Sequence, residues 1–360
     1  MKKLISAVLL CAMMLTLISC SADSAQPTSQ TQDSAQSSSV SKDEPITLTF
    51  GTNTASSSPT AIVMNKYAEE VAKASDGNIA IEVIADAQLG SAQAEIEAVR
   101  LGAQDMWCDG LSWFSDYEGM ENLRILLVPG LFKSNAHVRA YFESEKGQEL
   151  WNTLEEQYNM HIICDDWGRT PSSWMTKSPI ESVDDWRGMK LRVPEQQLNA
   201  ICYERLGVTV TPIAWGDTYS AIQQGIVEGV DGPPALMFPM SFDEVITYLT
   251  LTRHFYNQCG PVINADLWDS LSDNQRQILT ECAENLQEYH DELNINYENE
   301  MIDEMRQDSS KVVVDLTVEE SQALFAPLYS DDFKAIVEDP NTGYWEPGLI
   351  DYVAELGKQF

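Results

Sequence analysis

Trp186-Arg187-Gly188-Met189-Lys190-Leu191-Arg192-Val193-Pro194 reads as a turn, a short strand and a stop. Gly188 gives the turn a residue without a Cβ. Met189, Leu191 and Val193 alternate with Lys190, Arg192 and Pro194, the period of a strand. Pro194 has no N–H and ends the pairing. Strand ends are where open α/β sheets place ligand groups. Arg192 stands at one, in a chain with 22 basic residues against 56 acidic ones. Its planar fork suits a carboxylate. The competing reading is a surface ion pair with one of the many acids.

The surroundings favour a ligand. Downstream come Leu206-Gly207, Pro212, Tyr219-Ser220-Ala221-Ile222-Gln223-Gln224-Gly225, Val230-Asp231-Gly232, Val262-Ile263-Asn264 and Trp268. Upstream come Gln88-Leu89-Gly90, Val128-Pro129-Gly130-Leu131-Phe132 and Gly147-Gln148-Glu149-Leu150. In order and spacing this series resembles the solute receptors of tripartite ATP-independent periplasmic (TRAP) transporters, the DctP-type family. The resemblance spans roughly residues 45 to 330. It implies that Arg192 binds a substrate carboxylate, the role of the arginine on that strand in the family. A second substrate-facing base often precedes it there. Alignment on Gly168 selects Arg169, whereas alignment on Trp174-Met175-Thr176 and Pro179-Ile180 selects Ser172, and both stay open.

One stretch departs from the family. Where the family has Asp-Gly-x-Glu-Asn, with the Asn on the ligand, this chain has Asp231-Gly232-Pro233-Pro234-Ala235. Ala235 offers no side-chain donor. Pro233, Pro234 and Ala235, with Trp215 and Phe238, suggest a less polar ligand than the sugar acids or small dicarboxylates usual there. Trp215 equally suits packing.

The chain's 360 residues suffice for two domains, and its composition is that of a globular protein. A net charge of −34 argues against nucleic acid and against electrostatic docking on anionic lipid. It leaves an anionic small molecule open, because a cavity's local charge need not follow the total. Nine Trp residues are a generous number; core and interface packing accounts for most, and some are candidates for a cavity wall.

Lys2 and Lys3 precede the apolar run Leu4 to Ile18, a secretory signal too short to be a membrane span. Leu17-Ile18-Ser19-Cys20 looks like a bacterial lipobox, which implies cleavage after residue 19 and lipidation of Cys20. Residues 20–44, nearly all small and polar after the Cys, suit a disordered tether. Apart from Cys11 and Cys20, five cysteines remain, Cys108, Cys164, Cys202, Cys259 and Cys282, an odd number with no Cys-x-x-Cys, so buried thiols with at most one bridge are expected.

From Ile46 the chain alternates strands and helices: Ile46 to Phe50, a helix beginning near Pro59 and closed by Gly77, Ile79 to Val83, a helix capped by Ser91, then Gln104 to Asp109. That alternation predicts a largely parallel sheet with helices on both faces. Loops after its strands make Asn53, Asp109, Ser112 and Trp113 candidates for a ligand edge. Asp165 to Arg169 is read as a crossover, and Trp215 to Gln224 as a helix. Thr250 to Tyr256 and Pro261 to Ala265 are read as returning to the first domain, and Asp266 to about Arg306 as largely helical, broken by a cap at Ser272.

No zinc-hydrolase, nucleophile-elbow, phosphate-loop or dinucleotide motif occurs, and His137, His161, His254 and His290 are scattered singly. No catalytic residue, metal or cofactor is therefore assigned. The expected fold is α/β and two-lobed, like periplasmic binding proteins, each lobe a mixed sheet flanked by helices, with a long helix spanning both. Residues 45–166 plus 260–300 form lobe 1, and 167–259 plus 301–360 form lobe 2. The expected protein is a lipid-anchored, monomeric extracytoplasmic receptor, in a periplasm or on the outer face of the cytoplasmic membrane. It binds a small carboxylate-containing organic acid at Arg192, Arg169, Asn53, Asp109, Trp113, Trp215, Pro233, Ala235 and Phe238. It then delivers that acid to integral membrane TRAP permease subunits for ion-coupled uptake. A surface-anchored enzyme or a ligand sensor on the same scaffold is the alternative.

Overall fold

The strand containing Arg192 forms where the alternation places it, at Lys190–Val193. Gly188 takes a φ of +75°, a left-handed turn that a side chain would strain. The computed structural model describes residues 44–339, 341 and 344–360. The leader, Cys20 and nearly all of the tether lie outside the described residues.

Twelve strands fall into two six-stranded sheets. The strands are β1 (Ile46–Gly51), β2 (Ile79–Ile84), β3 (Met106–Gly110), β4 (Met160–Ile162), β5 (Trp167–Gly168), β6 (Ser173–Thr176), β7 (Lys190–Val193), β8 (Thr209–Pro212), β9 (Gly229–Gly232), β10 (Tyr248–Leu251), β11 (Gln258–Asn264) and β12 (Val312–Asp315). The first sheet runs β2-β1-β3-β11-β4, with β5 also on β11. β1, β2 and β3 are parallel, and β11 is antiparallel to its neighbours. The second runs β12-β10-β6-β9-β7-β8, with β7, β8 and β9 parallel and β6 antiparallel to β9 and β10.

Helices cover these sheets, and their ends follow the local signals. Ser58 caps Pro59–Ala74 by accepting from the Ala61 N–H at 3.3 Å. This helix buries Val63, Tyr67 and Val71 on the first sheet, where Tyr67 meets Phe50 and Trp167 edge to face. Ser272 forms the expected cap, a reciprocal box with Gln275. The segment after it divides once more, into Asp273–Glu284 and Gln287–Gln307. The longer helix packs on Pro59–Ala74 and β5 at one end and on Pro234–Met237 and β12 at the other, so it spans both sheets. No described helix is long and apolar enough to cross a membrane.

Two expectations need correction. Thr250 to Tyr256 does not return to the first sheet as one strand. Its first half lies in β10, paired with β6 in the second sheet, and the return occurs only at Gln258. Arg253, at a φ of +48°, breaks the extended run between them. Trp215 to Gln224 is a 3-10 turn, Trp215–Asp217, followed by a helix over Thr218–Gln223. The five cysteines after Cys20 are all free, and four of them are buried.

Gly260 marks the tightest approach of β11 to the chain after β4. A Cβ there would lie 1.8 Å from the Cys164 carbonyl oxygen.

Candidate functional site

Parallel strands end on the same side, so their C-terminal loops converge. β1 delivers Asn53 and Thr54, and β3 delivers Asp109, Ser112 and Trp113. β7 supplies Arg192 and Pro194, β8 leads to Trp215, and β9 ends in Asp231, Gly232 and Pro233. The segment between β5 and β6, where the chain passes from one sheet to the other, adds Arg169 and Ser172. All line one cavity of about 100 Å³. At roughly 10–15 Å³ of such space per water, it has room for a small metabolite and not for a peptide or a polymer.

The two arginines are held differently. Arg169 is closed off: its Nη1 lies 2.5 Å from Asp109 Oδ1, and Asp109 Oδ2 also accepts from Trp113 Nε1 at 3.2 Å. Arg192 is 4 % exposed, yet among the described residues no carboxylate comes within ion-pair distance. Its Nε donates to the Ile213 carbonyl at 2.8 Å, and its guanidinium lies 5.3 Å from the Trp215 ring centre. Burial pushes its pKa down to about 10, against the opposing pull of Asp231, Glu195 and Asp109. The group stays charged at neutral pH and lacks a counter-ion, which makes it an anion site.

Asp231 lies against a buried polar chain. The Tyr203 hydroxyl donates to Asp231 Oδ2 at 2.9 Å and lies 3.2 Å from His254 Nε2, while His254 Nδ1 lies 2.7 Å from Thr252 Oγ1. Burial lowers the pKa of His254, and Asp231 only partly offsets this. The ring is therefore neutral. With one proton each, the groups satisfy one another in a single sequence. The Thr252 hydroxyl donates to His254 Nδ1, His254 Nε2–H donates to Tyr203, and Tyr203 donates to Asp231. Asp231 Oδ1 has no hydrogen-bond partner among the described residues.

Of the residues expected at the site, Arg192, Arg169, Asn53, Asp109, Trp113, Trp215 and Pro233 line the cavity, as does Ser172. Ala235 and Phe238 do not. Ala235 is wholly buried within the short helix Pro234–Met237, and Phe238 packs on the apolar cluster around Met237 and Phe242. The turn at Pro233-Pro234 carries both away from the strand end. The same short helix still brings Leu236 to the cavity wall, beside Pro233, Leu126, Leu127 and Phe255.

The chain matches the family model for bacterial extracellular solute-binding protein, family 7 (DctP), over residues 50–334. The chain belongs to that family. A family 7 relative, the C4-dicarboxylate-binding periplasmic protein of Rhodobacter capsulatus, is 26% identical over 78% of this chain and 83% of its own length. The 2,3-diketo-L-gulonate-binding periplasmic protein of Escherichia coli K12 is also 26% identical, over 75% of this chain and 81% of its own. A TRAP periplasmic solute binding protein from Roseobacter denitrificans, solved with L-galactonate, superposes with a TM-score of 0.73 at 26% identity. That match covers 82% of this chain and 98% of the other. One from Actinobacillus succinogenes reaches 0.78 at 24% identity, over 88% and 100%, a likeness of fold alone.

Within this family 7 site, Tyr203, His254, Gln196 and Asn257 carry little signal in the sequence. Gln196 Nε2 donates to the Ser112 carbonyl at 2.7 Å and so ties the loop after β7 to the loop after β3. Its position two residues beyond Pro194 was the one available signal.

Proposed function

We propose that the protein captures a small organic acid in this cavity, with Arg192 gripping its carboxylate. It then passes the acid to integral membrane TRAP permease subunits for ion-coupled uptake. The observation that carries this is the buried, counter-ion-free guanidinium of Arg192 facing a cavity of metabolite size. The relatives' names support it, since a C4-dicarboxylate, 2,3-diketo-L-gulonate and L-galactonate are all carboxylates. Arg169 is the positioning partner, its charge already matched by Asp109. The site suits a receptor better than an enzyme: both nitrogens of His254, the titratable ring beside Asp231, are occupied. The two sheets are then the cores of two lobes that hinge closed on the ligand, with the crossings after Gly168 and before Gln258, not at residues 166 and 260 as expected from the sequence. The molecule works as a monomer outside the cytoplasm, tethered by lipid on Cys20.

Mass spectrometry of protein purified from membranes tests both halves. The expected result is a small carboxylic acid released on denaturation and a diacylated peptide beginning at Cys20, with Cys20→Ala recovered in the soluble fraction. A released ligand without a carboxylate would remove the proposed grip. An unlipidated, soluble wild type would remove the anchor.

A further inference from the structure

We propose that the ligand is a zwitterion, an amino-carboxylic acid whose carboxylate pairs with Arg192 and whose ammonium group pairs with Asp231. This rests on the carboxylate reading above and adds the second half of the molecule.

The first reason is charge. Four charged side chains line the cavity: Arg169, Arg192, Asp109 and Asp231. Arg169 and Asp109 neutralise each other. Arg192 and Asp231 remain, one cationic and one anionic, both at least nine-tenths buried. No ion pair joins them, and neither has a charged partner elsewhere among the described residues, since His254 beside Asp231 is neutral. The cavity thus offers a separated positive and negative group with no net charge. A monocarboxylate would leave Asp231 uncompensated, and a dicarboxylate would add a second buried negative charge beside it. Buried charges are tolerated when paired and hydrogen-bonded. A zwitterion pairs both.

The second reason is hydrogen-bond supply. Tyr203 already serves Asp231 Oδ2, which leaves Oδ1 as an acceptor with no donor among the described residues. Asn53 Oδ1 and Asn257 Oδ1, on the same cavity wall, are also buried without donors. Asp231 Oδ1 is the charged acceptor among these, and an ammonium can donate to it where a carboxylate cannot. The chain from Thr252 through His254 and Tyr203 has spent its protons by the time it reaches Asp231, so a ligand that brings donors suits this end of the cavity.

The test uses the purified full chain in thermal-shift and calorimetric titrations with matched series. These are the common α-amino acids with β-alanine and γ-aminobutyrate, the hydroxy acids of the same skeletons, short dicarboxylates, and the amino acid amides. At least one amino acid is expected to raise the melting temperature and to bind roughly tenfold or more tighter than its hydroxy counterpart. Asp231→Asn, checked for folding by melting, is expected to collapse that preference. Preferential binding of hydroxy acids or dicarboxylates, or no binding by any amino acid, overturns the zwitterion proposal. The wild-type titrations decide this without the variant. Amides that bind as tightly as the acids remove the carboxylate reading instead, so the two failures are distinguishable.

Discussion

Arg192→Ala is expected to weaken binding of the retained acid by roughly 30-fold to several thousand-fold. Truncating one partner of a desolvated charge pair costs about 2–5 kcal/mol, at about 1.4 kcal/mol per decade. Arg192→Lys keeps the charge but not the fork, and should fall between wild type and alanine. The loss should appear mainly as faster release, because the contact forms after encounter. Stability should move differently. The empty protein holds this guanidinium buried without a counter-ion, and burial already opposes its charge. Removing it should leave the melting temperature of the ligand-free protein unchanged or higher, as at other sites where function is held at the expense of stability. Calorimetry with thermal melting checks both. A surface ion pair would instead predict about 1 kcal/mol or less, so near-normal affinity in a folded Arg192→Ala protein would remove the anchor.

Arg169→Met should show the reverse. The Arg169–Asp109 pair is buried on both sides, and its loss would leave the Asp109 carboxylate with only the Trp113 indole N–H among the bonds described. Breaking a buried pair from one side costs about 3–5 kcal/mol, or roughly 5–15 °C in melting temperature for a chain of this size. Arg169→Met with Asp109→Asn removes the stranded charge and should recover at least half of that loss. Equal destabilisation by the single and double variants would show that the cost lies in packing and not in charge. The two arginines, 23 positions apart and on one cavity wall, thus divide the work. One is structurally satisfied, and the other waits for a ligand.

Much of this was legible in residues whose signal is local. Gly188, the alternation through Val193 and the stop at Pro194 place β7 and put Arg192 at its end. Ser91 and Ser272 mark helix starts because a cap needs only the next three residues. The Tyr203–Asp231–His254 cluster was not legible. Its members come from a helix, the end of β9 and the segment after β10, and only the sheet order brings them together. The fate of Thr250 to Tyr256 failed for a related reason. Apolar residues buried in either sheet look alike, and the turn at Arg253 carries no glycine or proline to mark it. Ala235 and Phe238 were misplaced because a departure from a family motif was read as a change of side chain. In this chain the stretch turns at Pro233 into a short helix that buries Ala235.

The placement of β11 also bears on how the chain reaches this fold. It inserts between β3 and β4, and Cys259 sits opposite Gly110, roughly 150 residues earlier. The second sheet likewise receives its edge strand, β12, only after the first sheet is complete in sequence. Neither half of the molecule is a contiguous piece that could assemble while the rest is still being made. Such non-local pairing is slow, because loop closure precedes the contacts that reward it. The N-terminal portion therefore lacks the strand that completes its sheet until Gln258–Asn264 is available.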